Sequence, residues 1–247
     1  MIYEKNIIRK ENLVIGVVFI LMSSPFINTV EVFGAAFVLL FLFNYLLESY
    51  QKDLPFSQFY NASILLGGLT FFFPNLICLL ALLIISGMNY GNLNWRIIAT
   101  IFLGITTPYL FYFVIFFVIN QRFDIPRFFN FSQIEFLILQ EMSLSKIIWI
   151  IILLLIIAAS FLELFTWLYK KSIKSRRTFM TIIWFFIITI LIANYSDSQY
   201  GYFSLIPLSI IIGNYFVYTQ KRKIASVLFS LLVISSLYYK YMIVFNM

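Results

Sequence analysis

The chain has 247 residues, of which 62% are hydrophobic, 20% aromatic and 11% charged, with a formal net charge of +7. A soluble domain carries about 25% charged residues, so this chain lacks the charge to cover its own surface in water. A soluble enzyme, a secreted disulfide scaffold, a disordered protein and a nucleic-acid-binding module are thereby excluded. What remains is an all-α, polytopic bundle in a lipid bilayer, expected as a single transmembrane domain over 1–247.

A membrane-crossing helix needs about 20 apolar residues. Runs of that kind predict about nine spans, at 13–28, 31–48, 57–73, 75–88, 95–119, 146–169, 178–194, 203–219 and 224–245. The first two flank a polar break at Ser23-Ser24-Pro25 and Asn28-Thr29 and form a hairpin. Lys5, Arg9 and Lys10 before the Leu13–Leu21 run resemble the start of a signal peptide. No small-residue cleavage site follows, so this run is expected to remain as an uncleaved first anchor.

The stretch from Phe59 to Ser86 is apolar nearly throughout, but Gly67-Gly68 and Pro74-Asn75 interrupt it. It fits one kinked helix or two short ones, and the positive-inside rule separates the two. With two short helices over 57–88, 13 of the 17 basic residues fall inside. They include Lys52, Arg96, the 170–177 cluster and Lys221-Arg222-Lys223. Arg122, Arg127, Lys146 and Lys240 fall outside. One helix would invert every later loop. The expected topology therefore has the N-terminus inside and the C-terminus outside. Whether 57–88 crosses twice or dips in and returns stays open. Trp95, Tyr109, Tyr169, Tyr200 and Tyr202 lie near span ends, where amphipathic rings are favoured.

The one sizeable outer segment is 120–145. Ser132 and Glu135 fit a capping box, and Phe131, Ile134, Leu137 and Ile138 then share a helical face. An amphipathic helix is expected near 131–141, lying in the outer interface as a connector or as a lid over a cavity. Just before it, Arg122, Asp124 and Arg127 are a candidate ligand-binding cluster. Two guanidinium forks can hold a phosphate or pyrophosphate, or pair with Asp124 and lipid headgroups.

Charges within the spans are few. Glu163 is the clearest, seven residues before Lys170 and so about 10 Å along a helix axis. That places it near headgroup water and the basic cluster; a proton-coupled site is the alternative. Asn44, Asn61 and Asn214 are intramembrane polar residues for which interhelical hydrogen bonding is the default role. Gly67-Gly68 and Gly104 allow close helix approach, or in the case of Gly104 a bend before Pro108. The chain has no histidine and one cysteine, Cys78, in an apolar run. A Cys/His zinc site, a His-held haem and a Ser-His-Asp triad lack their parts. No metal and no cofactor is expected.

Two resemblances bear on function. The run Phe59-Tyr60-Asn61-Ala62-Ser63-Ile64-Leu65-Leu66-Gly67-Gly68-Leu69-Thr70-Phe71-Phe72-Phe73-Pro74, then Leu93-Asn94-Trp95-Arg96 and Leu103-Gly104-Ile105-Thr106-Thr107-Pro108-Tyr109, resembles an uncharacterised multi-span inner-membrane family of Bacteroidota-type bacteria. Members are sometimes mislabelled as carotene oxygenases; such enzymes hold iron with histidines, which this chain lacks. Gly68-Leu69-Thr70-Phe71-Phe72-Phe73-Pro74 is also similar in outline to the core of C-type glycosyltransferases, with Phe73 where a lysine is frequent. Those enzymes take sugars from polyprenyl-phosphate carriers at the outer face. That resemblance implies an outer-loop carboxylate as base, for which Glu31 is the acid available.

Three functions follow as expectations. The first is a non-enzymatic integral membrane subunit that assembles with other envelope proteins. The second is an enzyme or carrier for polyprenyl-linked glycans, with Glu31 or Asp197 as acid or base and Arg122 with Arg127 on the pyrophosphate. The third is a transporter or channel.

Overall fold

A computed structural model describes residues 13–26, 30–119, 144–169, 171–196 and 198–245. Among the described residues the chain is entirely helical: α1 (Val14–Ser23), α2 (Val30–Glu48), α3 (Phe56–Phe72), α4 (Leu80–Tyr90), α5 (Trp95–Val118), α6 (Leu144–Leu168), α7 (Ile173–Tyr195), α8 (Gly201–Tyr218) and α9 (Arg222–Phe245). A 3₁₀ turn at Pro74–Leu79 leads into α4. Six of these helices, α2 and α5 to α9, are long and apolar enough to cross a membrane. The expected amphipathic helix at 131–141 lies outside the described residues, as do Asn28 and Thr29 of the first hairpin.

The first expected span is cut short. The Ser23 and Ser24 hydroxyls donate to the carbonyls of Ile20 and Leu21 at 3.1 and 3.2 Å, and Pro25 follows. A proline lacks the N–H needed to continue the helix, so α1 ends at Ser23 with 10 residues. The seventh helix differs the other way. It begins at Ile173, and Ser172 caps it by accepting from the Ser175 N–H at 3.4 Å. Lys174, Arg176 and Arg177 are thus helical rather than loop residues.

Between Phe59 and Ser86 the interruption comes at the proline and not at the glycines. Helix α3 runs unbroken through Gly67-Gly68. Phe73 leaves the helical region (φ −129°, ψ 78°) and Pro74 opens the 3₁₀ turn. Asn75 is buried there, and its Nδ2 donates to Ser196 Oγ at 2.6 Å, which fixes the start of this turn to the end of α7. At the far end of α4, Gly91 takes φ +74° and its N–H bonds the Met88 carbonyl at 3.1 Å. Glycine closes a helix in this left-handed conformation without a Cβ penalty.

Helices α3 and α5 make the most extensive helix pair and run parallel. The cause is a seam of small residues. A Cβ added at Gly67 would stand 2.7 Å from the Ile105 carbonyl oxygen, and one added at Gly104 would collide with the Ser63 side chain and lie 2.9 Å from the Tyr60 carbonyl. Ser63 and Gly67 form a small-xxx-small pattern, which lets backbones meet when both states are bathed in lipid. Polar bonds flank the seam, from Thr70 Oγ1 to Tyr109 OH at 2.6 Å and from Tyr60 OH to Thr107 Oγ1 at 3.2 Å.

Helix α8 sits at the centre, packed by α1, α6 and α7. Of its apolar window 72% is buried, against 17% for α5, 22% for α6 and 17% for α9. Tyr202, 1% exposed, makes T-shaped contacts with Phe19 of α1, Phe26 of the α1–α2 connection and Phe33 of α2. On the other flank Trp149 Nε1 of α6 donates to Ser236 Oγ of α9 at 3.2 Å.

The connections after α2, α4, α6 and α8 gather at one end. Asn92 Nδ2 donates to the Ser49 carbonyl at 2.8 Å, and Arg177 Nη1 to that of Tyr90 at 3.4 Å. Lys174 Nζ lies 5.7 Å from the Tyr50 ring centroid, and Lys171 Nζ 5.1 Å from that of Tyr218. Lys52, Arg96, Arg176 and Lys221-Arg222-Lys223 belong to the same end. Lys146 and Lys240 lie towards the opposite ends of α6 and α9.

Candidate functional site

The α3–α5 seam leaves an adjoining face of α3 open. Successive residues of a helix are turned by about 100°, so Gly67 meets α5 while Gly68 looks elsewhere, with nothing within 4 Å of an added Cβ. Helix α2 comes alongside with Gly34, Ala35 and Val38, again small or slender, and Gly34 likewise has open space. Between the three helices lies a cleft of about 680 Å³, within the usual range for small-molecule sites.

Its wall is formed by Glu31, Gly34, Ala35 and Val38 of α2, by Ile64, Leu65, Gly68, Leu69 and Phe72 of α3 with Phe73, and by Thr107, Pro108 and Phe111 of α5. Phe72 is 71% and Phe111 68% exposed, so the cleft opens on the outer surface of the bundle. From Glu31 to Val38 the α2 wall spans about 10 Å, and from Ile64 to Phe72 the α3 wall about 12 Å. That is most of one leaflet of a hydrocarbon core about 30 Å thick. Two side chains in the lining are polar. Thr107 Oγ1 donates to the Leu103 carbonyl at 2.7 Å, which occupies it within its own helix. Glu31, in the first turn of α2 and exposed, supplies the single carboxylate, at the level of Phe72 and Phe73.

Of the residues singled out from sequence, Glu31 is thus placed in a cavity. Asp197, Arg122, Asp124 and Arg127 lie outside the described residues. Asn44 corrects an expectation: its Nδ2 donates to Glu48 Oε1 at 2.9 Å within α2, not to a neighbouring helix. Residues four apart share a helix face, so the nearest acceptor is local. Asn61 is half-buried on α3. Asn214 is 3% exposed in the C-terminal part of α8, and its buried Oδ1 meets no hydrogen-bond donor among the described residues. Glu163 is half-buried on α6 and close enough to Tyr215 of α8 to interact with it electrostatically. Cys78 is half-buried in the 3₁₀ turn, a thiol packed among apolar neighbours. Among the described residues no three of His, Cys, Asp or Glu come together as a metal site.

Gly34, Gly68, Thr107, Pro108 and Phe111 were not assigned to a site from sequence. The signal for one of them was present: in a Gly-Gly pair on a helix, one glycine can serve packing while its neighbour faces another way.

No curated protein and no solved structure matches the chain. Residues 4–247 match a family of unknown function, DUF6427, and the chain belongs to that family.

Proposed function

We propose that this chain is a non-enzymatic, multi-pass protein of the bacterial inner membrane, an accessory subunit of an envelope assembly that holds one lipid chain between α2, α3 and α5. One observation carries the reading: a cleft as deep as most of a leaflet, apolar along its length, with a single carboxylate at one end. Such a wall offers an acyl or isoprenoid chain many weak dispersion contacts and its head one fixed polar contact. General acid–base chemistry asks for more, an acid and a base set around one reacting bond. The apolar face that α5, α6 and α9 leave exposed suits lipid and neighbouring subunits alike.

In this reading the six long helices cross the bilayer, and the shorter described helices α1, α3 and α4 alternate in direction with them. The end rich in Lys and Arg faces inward, as the positive-inside rule favours. The cleft with Glu31 then opens in the outer leaflet, with the N-terminus inside and the C-terminus outside. Cysteines introduced at Lys52 and Asn94, after Cys78→Ser, are expected to resist a membrane-impermeant thiol reagent added to intact cells and to react once the membrane is permeabilised. Labelling of either in intact cells would overturn the orientation.

The function itself is tested by native mass spectrometry of the protein extracted from its own membrane in mild detergent. A stoichiometric companion protein and one retained lipid per chain are the expected result. A chain that carries neither would sink the reading. A carrier or transferase for polyprenyl-linked glycans would use the same cleft. Retention of a polyprenyl lipid without a protein companion would favour it.

A further inference from the structure

We infer that the lipid in this cleft is one whose head carries a primary amine, its chain laid along the α2–α3–α5 wall and its ammonium on the Glu31 carboxylate. The inference rests on the lipid-holding reading above and adds the chemistry of the head.

The argument is one of complementarity. Thr107 already bonds within α5, and among the described residues no basic side chain lines the cleft. Glu31 is therefore the group in the wall left to choose between heads. An ionised carboxylate only accepts hydrogen bonds, and so does a phosphodiester oxygen. A head whose phosphodiester has no cation of its own to offset it would be repelled by the carboxylate, more strongly than in bulk water because the dielectric at the membrane surface is lower. A primary ammonium brings three donors and the opposite charge, and a charge-assisted bond of this kind is the strong form of the contact. The position of Glu31 fits the same partner. It stands at the mouth of an apolar channel about 10–12 Å deep, so a head held there leaves its chain directly above the wall formed by Gly34, Val38, Ile64 and Gly68. The two glycines leave the wall open where larger side chains would fill it. The basic residues that draw anionic lipids to a membrane protein gather at the other end of the bundle, around Lys174 and Arg177.

The test uses the full chain, delipidated in detergent and titrated with phosphatidylethanolamine and phosphatidylglycerol of identical acyl chains. Bound lipid is counted by native mass spectrometry. The wild type is expected to bind one phosphatidylethanolamine at least tenfold more tightly than phosphatidylglycerol. Glu31→Gln should still bind one lipid with the ratio reduced to near one, and Glu31→Lys should reverse the preference. A wild-type ratio near one, or a preference that survives Glu31→Gln, overturns the assignment of the head. Gly68→Leu separates that failure from failure of the cleft. Its side chain grows into the cleft from a position with nothing within 4 Å, and it should abolish binding of both lipids while the protein keeps its melting temperature. Unchanged lipid binding by Gly68→Leu overturns the cleft itself, whatever Glu31→Gln shows.

Discussion

Gly104→Ala is expected to lower the melting temperature of the detergent-solubilised protein by about 5–10 °C, whereas Gly68→Ala leaves it unchanged or slightly raised. The two substitutions add the same methyl group to helices that share one interface. At Gly104 the new Cβ runs into the Ser63 side chain and the Tyr60 backbone, and a backbone atom cannot rotate away. Helices α3 and α5 must then separate along the seam, breaking the Thr70–Tyr109 and Tyr60–Thr107 hydrogen bonds that depend on it. Overpacking of this kind costs about 1–3 kcal/mol or more, and in a chain of this size each kcal/mol is worth about 2–4 °C. At Gly68 the methyl meets open space, and alanine is the better helix former by about 1 kcal/mol. Unfolding followed by tryptophan fluorescence would read both. A Gly104→Ala protein that melts with the wild type would mean that α3 and α5 do not meet through Ser63 and Gly104.

Tyr202→Ala should cost about 3–5 kcal/mol, the range for deleting a buried aromatic ring. The ring of Tyr202 has Phe19, Phe26 and Phe33 around it with centroids at 5.9, 6.1 and 5.4 Å, all edge-on. Such pairs contribute about 0.5–1.5 kcal/mol each beyond the area they bury. They tie α1, the turn after it and α2 to α8, so their loss should loosen the N-terminal hairpin first. Tyr202→Phe keeps the ring and all three contacts, and is expected within about 1 kcal/mol of the wild type. Limited proteolysis near residues 24–30 gives the local readout. Equal resistance of Tyr202→Ala and the wild type there would show that the hairpin is held elsewhere.

The helices themselves were legible because lipid demands long apolar runs, and α2, α3, α5, α6, α8 and α9 fall within two residues of the spans expected from hydropathy. Where the expectation slipped, polarity alone misplaced the boundary: too late for α1, whose expected span ran past Ser23-Ser24, and too far into the chain for α7. Lys174, Arg176 and Arg177 lie inside α7 because a Ser172 cap, not charge, sets its start. Ser23 and Ser24 close α1 early because their hydroxyls take the last carbonyls. The cleft was legible only in Glu31. A cavity between helices is fixed by how they cross, and that crossing depends on Ser63 meeting Gly104 and Gly67 meeting Ile105, pairs about forty positions apart in sequence. A single sequence shows that the glycines permit an approach but not which helix accepts it. Gly67 and Gly68, alike on paper, therefore serve packing in one case and an opening in the other.

The seating of α8 has a consequence for how the protein is made. The most deeply enclosed helix is also the least apolar of the six long ones, with a mean hydropathy of 1.3 against 2.9 for α6, and it carries Ser204, Pro207, Ser209, Gly213 and Asn214. Partitioning on its own into hydrocarbon, such a segment would lose the backbone bond that Pro207 cannot make and leave its amide side chain without water. In chain order it follows α1, α6 and α7, the described helices that surround it, so these have already been synthesised when it emerges. The enclosure of α8 by α1, α6 and α7 thus favours its docking against protein already in place over a transfer into lipid alone.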